Sequence, residues 1–234
     1  PPPVGLWTTK RNGEVKLRID ESGIGCEPPI RIHELLLESV RKYGNFNAVT
    51  MKKGGKWSSL TFREYYEQCR KAAKSFLKRW AWEHFSHGVG ILGFNSIQWF
   101  PGRHPGAILA GGFVVGVFIP PTPEACQYAW RRTARRQHHR EWRSDKHAVL
   151  QKILEVKQKL PCLKAIIQYG EPLKEKLPNL YDWNEFMAFG DSITCEQLDK
   201  TIEAQKPNQC CTLIYTSGTT GQPKGVMLSH DKRE

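Results

Sequence analysis

Apolar and polar positions recur along this chain with two periods, and these periods predict a series of helices and strands. In some segments apolar residues lie three and four positions apart, as on one face of a helix, whereas others are short apolar runs typical of buried strands. The predicted helices cover residues 32–43, 62–79, 149–160, 183–188 and 195–204. The predicted strands cover residues 47–51, 56–60, 88–94, 114–119 and 163–168. Because strands alternate with helices, the pattern indicates an α/β fold, with a mostly parallel sheet and flanking helices.

Turn and capping residues indicate where some of these elements begin and end. Gly54-Gly55, between the first two strands, is typical of a tight hairpin. Thr61 followed by Glu64 matches a capping box, in which two side chains bond the free N–H groups at a helix start. Residues 1–30 are punctuated by proline and glycine, and they predict an irregular N-terminal arm.

A turn rich in hydroxyls and glycines follows near the end of the chain. Residues 213–229 read Leu-Ile-Tyr-Thr-Ser-Gly-Thr-Thr-Gly-Gln-Pro-Lys-Gly-Val-Met-Leu-Ser. The apolar runs at 211–215 and 226–228 predict two short strands joined by this turn. Its glycines let backbone N–H groups approach an anion, its hydroxyls can donate hydrogen bonds, and Lys224 adds a positive charge. The composition of the turn therefore suits a polyphosphate.

The turn is neither a Walker A motif nor, in its residue order, a generic hairpin turn. A Walker A motif needs four residues between its two glycines and then Gly-Lys followed by Ser or Thr. Here two residues separate Gly218 from Gly221, and Lys224 is followed by Gly225, so the motif is a different one. An ordinary hairpin turn is the simpler interpretation, since generic loops of Gly, Ser, Thr and Lys are more often structural than functional. The particular order of hydroxyls, glycines, proline and lysine is more specific than that.

This order resembles the phosphate-binding signature of the adenylate-forming superfamily, which includes acyl-CoA synthetases, luciferases and peptide-synthetase adenylation domains. Three more segments resemble one branch of it, the bubblegum-type long-chain acyl-CoA synthetases. These segments are residues 87–96 (His-Gly-Val-Gly-Ile-Leu-Gly-Phe-Asn-Ser), 106–112 (Gly-Ala-Ile-Leu-Ala-Gly-Gly) and 123–128 (Pro-Glu-Ala-Cys-Gln-Tyr). The opening, with Leu6-Trp7-Thr8-Thr9 and Pro28-Pro29, is similar to the same branch. The resemblance covers most of the chain.

The resemblance implies both a fold and a reaction. Residues 31–234 are expected to form an incomplete N-terminal domain of the adenylate-forming fold, without the small C-terminal lid domain. The implied activity is that of a long-chain fatty acid–CoA ligase, which uses ATP, Mg²⁺ and CoA and passes through an acyl-adenylate. By motif match, the residues expected to bind the phosphates are Thr216, Ser217, Gly218, Thr219, Thr220, Gly221 and Lys224. Lys224 is expected nearest the β- and γ-phosphates, and Tyr215 is expected to pack beneath the loop.

Other parts of the family's machinery find no counterpart in these residues. The segment that stacks the adenine, the acidic residue for the ribose, the glutamate for magnesium and the lysine for adenylation cannot be assigned, so no catalytic residue is named. The chain begins at Pro1 without a methionine and stops at Glu234, just beyond the phosphate loop. We therefore expect a piece of a longer protein, with no appreciable ligase activity on its own.

Composition adds limits on location and partners. With 39% hydrophobic and 25% charged residues, the chain is ordinary for a globular protein, and no apolar run approaches the ~20 residues that span a bilayer. Its seven cysteines are scattered without C-x-x-C spacing, and its histidines lack metal-ligand spacing, so neither a disulfide framework nor a metal site is predicted. Cys210 and Cys211 are expected to be small core residues. A cytoplasmic protein is expected, with peripheral contact to the endoplasmic reticulum or other membranes as an added expectation.

Residues 130–145 break the pattern, because a helix end and a buried strand are expected there, yet almost no residue is aliphatic. One interpretation is a basic-aromatic patch that stacks on RNA bases, and another is an exposed loop. A third hypothesis is a reading-frame slip. The bases TGG-CGG-AGA-ACT-GCG-AGG-CG are one set that would encode the segment starting at Trp130, and read one base earlier, after a G, they would encode Val-Ala-Glu-Asn-Cys-Glu-Ala. Residues 100–105 also depart from an expected apolar helix, because two prolines and a glycine would interrupt it.

The net charge of +12 supports an alternative function of a different class. Six arginines and Lys146 lie between Tyr128 and His147, against only Glu141 and Asp145. The alternative is a non-catalytic basic protein that binds RNA or acidic membranes through residues 131–143. Because the remaining charge is spread along the chain, a solvated surface is the default, and binding of nucleic acid is not favoured.

Overall fold

Helices and strands alternate along the part of the chain that the computed structural model describes, namely residues 5–10, 13–80, 87–92, 105–116, 139–144, 147–160, 163–216 and 224–231. The helices are α1 (Ile32–Tyr43), α2 (Phe62–Trp80), α3 (Pro105–Leu109), α4 (His147–Lys157), α5 (Trp183–Ala188) and α6 (Cys195–Glu203). Two short 3₁₀ helices are Ile24–Cys26 and Phe189–Ser192. The strands are β1 (Asn47–Lys53), β2 (Lys56–Thr61), β3 (His87–Leu92), β4 (Phe113–Gly116), β5 (His139–Ser144), β6 (Leu163–Gln168), β7 (Leu180–Asp182), β8 (Cys210–Thr216) and β9 (Lys224–Ser229).

Seven of these strands form one sheet, in the order β7-β6-β5-β3-β4-β8-β9. Every neighbouring pair from β7 to β8 is parallel, whereas β9 runs antiparallel to β8. Strands β1 and β2 form a separate antiparallel hairpin. The predicted α/β class with a mostly parallel sheet is therefore confirmed.

Helix α2 joins the β1–β2 hairpin to the main core. Its start has the predicted capping box: the Glu64 N–H donates to Thr61 Oγ1 at 3.2 Å, and the Thr61 N–H donates to Glu64 Oε2 at 2.8 Å. Its buried face includes Ala73 and Phe76, and the Phe76 ring centroid lies 4.8 Å from that of Phe186 in α5. Burying these rings together removes apolar area from water and fixes α2 against α5. A second cluster, Leu150, Ile153, Leu160, Ile166 and Leu180, packs α4 against β6 and β7.

The N-terminal segment is held to the domain by polar contacts. Glu14 pairs with Lys206 at 2.6 Å and forms an isolated antiparallel bridge with Gln209. The Arg31 guanidinium donates to the carbonyl oxygens of Ile202 and Gln205, at 3.0 and 3.3 Å, just where α6 ends. Since the last carbonyls of a helix lack partners within the helix, Arg31 acts as a cap for α6.

Most predicted elements match the observed ones, with shifts at some ends. Helices Ile32–Tyr43 and Trp183–Ala188 and strand Leu163–Gln168 have the predicted bounds. The helix predicted over 149–160 begins earlier and ends earlier, at His147 and Lys157. Pro105 is the first residue of α3, where proline is tolerated because a helix's first N–H has no intrahelical partner.

Strand β5 contradicts the interpretation of residues 130–145 as one exposed loop. Residues His139–Ser144 pair in parallel with β3 on one side and with β6 on the other. A strand's backbone N–H and C=O groups pair whatever the side chains are, so a segment poor in aliphatic residues can still occupy an internal position. Residues 130–138 and 145 lie outside the described residues, and the frame slip stays a hypothesis. Within the described residues, no helix combines the length and the apolar character that crossing a bilayer demands.

Candidate functional site

The hairpin of β8 and β9 carries the residues that the sequence singles out, and the sheet decides where its turn lies. Strand β8 pairs in parallel with β4, with Thr212 beside Val114 and Ile214 beside Gly116. The Thr212 hydroxyl donates to the Val114 carbonyl oxygen at 3.1 Å, which reinforces this pairing. The turn therefore leaves the sheet at the carboxyl end of a parallel strand, which is the edge where α/β sheets bind ligands.

Two of the seven predicted phosphate-binding residues lie in the described strands, and they are neighbours. Thr216 is the last residue of β8, and it pairs across the hairpin with Lys224, the first residue of β9. Lys224 is exposed. Both residues thus stand at the point where the chain enters and leaves the turn. The other predicted residues, Ser217, Gly218, Thr219, Thr220 and Gly221, lie outside the described residues, and the phosphate-binding role of all seven stays a prediction.

One residue pair below the turn, an aromatic ring packs across the hairpin. Tyr215 pairs with Gly225, and a Cβ built on Gly225 would lie 3.4 Å from the Tyr215 ring and 3.4 Å from Leu213 Cδ2. The half-buried Tyr215 ring therefore contacts the glycine backbone directly. The expectation that Tyr215 packs beneath the loop stays a prediction, because residues 217–223 lie outside the described residues.

The base of the hairpin is buried, and its two thiols are unreactive at neutral pH. Burial raises the pKa of Cys210 to about 11 and that of Cys211 to about 12. A thiol that stays protonated is neither a good nucleophile nor a metal ligand. The expectation that these cysteines are small core residues agrees with their environment, since Cys211 is 3% exposed.

His230, which directly follows β9, is a residue that the sequence patterns do not single out. It is buried, and its backbone N–H donates to the Gln209 carbonyl oxygen at 3.1 Å, while its Nδ1 has no hydrogen-bond partner. Burial, and to a lesser extent the positive charge of Arg31, lower the pKa of His230 to about 4. His230 and Arg31 thus connect the base of the hairpin to the end of α6. No sequence signal reveals this, because Arg31 and its α6 partners are about 170 residues apart.

A second cationic region does not form a comparable anion site. A groove of about 390 Å³ between α2 and the 3₁₀ helix Phe189–Ser192 is lined by Glu67, Arg70, Lys71, Lys74, Gly190 and Asp191. Two of its three cations pair with carboxylates, Arg70 with Asp199 at 2.7 Å and Lys71 with Asp191 at 3.7 Å, and Lys74 donates to Cys195 Sγ at 3.3 Å. Within the described ranges, no group of three His, Cys, Asp or Glu side chains is placed to hold a metal ion.

Comparison with known proteins agrees with the fold and the motifs. The sequence profile of the AMP-binding enzymes ("AMP-binding enzyme") matches residues 36–233. The long-chain-fatty-acid–CoA ligases ACSBG2 of Gallus gallus and Xenopus laevis are 53% and 54% identical to this chain and cover 98% and 97% of it. The chain spans only 29% and 30% of the length of these two relatives.

Solved structures show the same fold at much lower identity. The crystal structure of the anthranilate CoA ligase AuaEII in complex with anthranoyl-AMP superposes with a TM-score of 0.64 at 20% identity. The match covers 89% of this chain and 36% of that one. The chain therefore belongs to the AMP-binding enzyme family, and within it stands with the bubblegum-type long-chain acyl-CoA synthetases, as its motifs predict.

Proposed function

We propose that this chain supplies the ATP-phosphate-binding part of a long-chain fatty acid–CoA ligase. The observation that carries the proposal is the pairing of Thr216 with Lys224 at the mouth of a turn of glycines and hydroxyls. That mouth lies at the carboxyl end of the parallel strand β8. Family membership and the names of the relatives, which are long-chain-fatty-acid–CoA ligases, support the same reaction.

In this reaction a fatty acid carboxylate attacks the α-phosphorus of ATP, and the bond to the pyrophosphate oxygen breaks. The products are an acyl-adenylate and pyrophosphate, and the CoA thiol then displaces AMP to form the thioester. Negative charge grows on the leaving pyrophosphate as its bond breaks. Donors that are oriented in advance stabilise such charge without reorganising, and the proposed donors are the turn's N–H groups and hydroxyls and the Lys224 ammonium. The complex of AuaEII with anthranoyl-AMP supports an adenylate as the intermediate.

The proposed ligands are ATP with Mg²⁺, a long-chain fatty acid and CoA. Of these, the turn would hold the triphosphate, through Thr216, Ser217, Gly218, Thr219, Thr220, Gly221 and Lys224. Mg²⁺ would arrive on the phosphate oxygens and reduce their repulsion. We also propose a cytoplasmic protein, and the support is that Cys26, Cys69, Cys195, Cys210 and Cys211 are free thiols. The proposed organisation is an arm of residues 1–30 followed by the incomplete domain of 31–234.

The alternative function, binding of RNA or acidic membranes through residues 131–143, is less well supported. Residues His139–Ser144 of that basic stretch form the internal strand β5, whose backbone is paired on both sides. A strand inside a sheet offers less free surface than the solvated patch that this alternative needs.

Binding of inorganic tripolyphosphate tests the proposal, because this probe needs only the phosphate-binding turn. Titration calorimetry on the chain and on Lys224→Ala should show a fall in affinity between about tenfold and a hundredfold, as for a lost charge-assisted hydrogen bond. ATP should show the same ratio. The matched control is Lys174→Ala, which removes an equally exposed lysine between β6 and β7 and should change little. Equal losses in both variants would mean that the affinity comes from net charge, and the proposal would be wrong.

A further inference from the structure

Exposed aromatic side chains and basic residues coincide in one segment that the ATP-binding proposal does not use. Residues 39–63 contain six basic residues and no acidic one. Within this segment Tyr43 is 51% exposed, Phe46 68% and Trp57 69%. Apolar surface that is bordered by polar and charged residues is typical of interaction sites, so this segment is a candidate for one.

The β1–β2 hairpin places a tryptophan and three lysines at its tip. Trp57 pairs with Lys52 and Lys53 with Lys56, on either side of the Gly54-Gly55 turn. The Lys52 ammonium lies 5.6 Å from the centroid of the Trp57 ring. Because side chains alternate along a strand, Trp57 and Lys52 share a face with Thr50 and Ser59, whose hydroxyls are 2.9 Å apart.

The opposite face of the hairpin contains the residues that pack on the domain. Val49, Met51 and Leu60 are half-buried there, whereas Lys52 and Trp57 are exposed. The Trp57 ring therefore remains exposed on the outer face of the hairpin, whose other face packs on the domain. The ring is exposed because residue 57 lies on the outer side of the strand, and not because the hairpin packs poorly.

We propose that the β1–β2 hairpin, with Trp57 and Lys52, Lys53 and Lys56 at its tip, docks the protein on a membrane surface that contains anionic lipids. Tryptophan prefers the boundary between headgroups and acyl chains, because its ring is apolar and its N–H remains able to bond. Lys52, on the same face as the ring, and Lys56, exposed beside the turn, are placed to reach lipid phosphates and carboxylates while their stems cover apolar surface.

The chemistry of the tip favours a lipid surface over a protein or an RNA. Lysine is depleted at the core of protein–protein interfaces, yet here Lys52 lies directly beside the exposed ring. Proteins that stack nucleic-acid bases set their aromatic rings along a positively charged groove, whereas Trp57 stands near the tip of a two-stranded hairpin. An anionic membrane accepts both groups at once, with the ring at the interface and the ammonium groups among the headgroups.

Cosedimentation of the chain with vesicles tests the proposal. Vesicles of phosphatidylcholine and phosphatidylserine should bind the chain, and vesicles of phosphatidylcholine alone should bind it far more weakly. The triple variant Lys52→Gln, Lys53→Gln, Lys56→Gln should lower the partition coefficient about a hundredfold, from the usual contribution of each basic residue near an anionic surface. Trp57→Ala should lower it about tenfold.

Each variant has a control matched in type. The triple variant Lys16→Gln, Lys164→Gln, Lys174→Gln removes three exposed lysines elsewhere and the same net charge, and it should keep most of the binding. Trp7→Ala removes another tryptophan, 78% exposed, from the arm, and should leave binding unchanged. Circular dichroism verifies that each variant is folded.

Three results would overturn the proposal: equal binding to both kinds of vesicle, equal loss in the two lysine triples, or tighter binding to single-stranded RNA than to anionic vesicles. The outcome is independent of the ATP proposal. The lysine triple at the hairpin should keep its affinity for tripolyphosphate, and Lys224→Ala should keep its affinity for vesicles.

Discussion

Two hairpins of this molecule have glycine and lysine at their turns, yet they stand in different surroundings. In the β1–β2 hairpin, Lys53 and Lys56 flank Gly54 and Gly55, and the two strands pair only with each other. In the β8–β9 hairpin, Lys224 follows the turn directly, and β8 pairs with β4 of the seven-stranded sheet as well as with β9.

The difference shows why residue type alone does not define a phosphate site. The β1–β2 turn is short, and Gly54 and Gly55, with φ of +56° and +80°, serve its backbone conformation. The β8–β9 turn extends over residues 217–223 and leaves the carboxyl edge of a parallel sheet, where backbone N–H groups can converge on an anion. We therefore propose a surface role for the lysines of the first hairpin, whereas Lys224 remains the lysine predicted to bind phosphate.

The largest expected effect comes from breaking the β1–β2 turn alone. The double variant Gly54→Val, Gly55→Val places β-branched residues at positive φ, which should cost about 2–4 kcal/mol of the free energy of unfolding. Urea unfolding measures this loss, and vesicle binding should fall with it while tripolyphosphate binding remains.

The control for this variant is Gly54→Asn, because asparagine tolerates the left-handed conformation and Asn-Gly favours this turn type. Its unfolding free energy should stay close to that of the unchanged chain. Loss of tripolyphosphate binding in a folded double variant would show that the two hairpins are not independent, which contradicts the comparison.

The second-largest effect is a pH dependence of the free energy of unfolding, which we expect from His230 beside the β8–β9 hairpin and not from the β1–β2 hairpin. The pKa of His230, about 4 in the folded chain, lies below its usual value of 6.5 because burial disfavours the charged ring. Below pH 6.5 the unfolded chain therefore binds a proton that the folded chain does not. The stabilisation is complete above pH 6.5 and is lost as the pH falls towards 4, by roughly 3 kcal/mol in all.

Urea unfolding between pH 4.5 and 7.5, a range set by the usual histidine pKa, measures the slope of the free energy of unfolding against pH. His230→Gln should flatten it, although it will not abolish it, because burial also lowers the pKa of His33. Hydrogen exchange should locate the change at β8 and β9 rather than at β1 and β2. An unchanged slope in His230→Gln would show that the ring is solvated in solution.

Local signals in the sequence predicted much of the fold. The capping pair Thr61 and Glu64 and the Gly54-Gly55 turn depend on residues a few positions apart, and both are observed as predicted. Strand β6, Leu163–Gln168, has the apolar run of a buried strand and the predicted bounds. Its neighbour β5 lacks that run, and its position follows from backbone pairing on both sides, which side-chain patterns do not record.

In the candidate site, too, the features that depend on neighbouring residues could be predicted, whereas those that depend on residues far apart in the sequence could not. The motif named Thr216 and Lys224, and the strands on either side of the turn were expected from their apolar runs. Which residues face each other across the hairpin depends on the register of β8 and β9, and the support from Arg31 and His230 depends on distant segments. Sequence patterns could therefore supply the chemistry of the site but not the structure that holds it.

The smallest effect compares two of the capping boxes, those that start α2 and α6. Thr61, the last residue of β2, caps the start of α2 with Glu64 as its partner, whereas Thr194 caps the start of α6 with Gln197 as its partner. Thr61→Ala and Thr194→Ala should each lower the free energy of unfolding by about 1 kcal/mol at neutral pH, the usual cost of losing an N-cap hydroxyl. The pH dependence should differ, because only Glu64 ionises.

Hydrogen bonds from the Thr61 backbone N–H and hydroxyl hold the pKa of Glu64 below its usual value. The stability that this contributes is present above the usual pKa of the carboxyl group and is lost as the pH falls through its folded value. The cost of Thr61→Ala should therefore shrink in acid, whereas the cost of Thr194→Ala should stay constant, since Gln197 carries no charge. Urea unfolding of both variants at neutral and acidic pH measures the two costs. Parallel pH profiles would mean that the carboxylate adds nothing to the hydroxyl cap, and that the junction between the β1–β2 hairpin and α2 is held by packing alone.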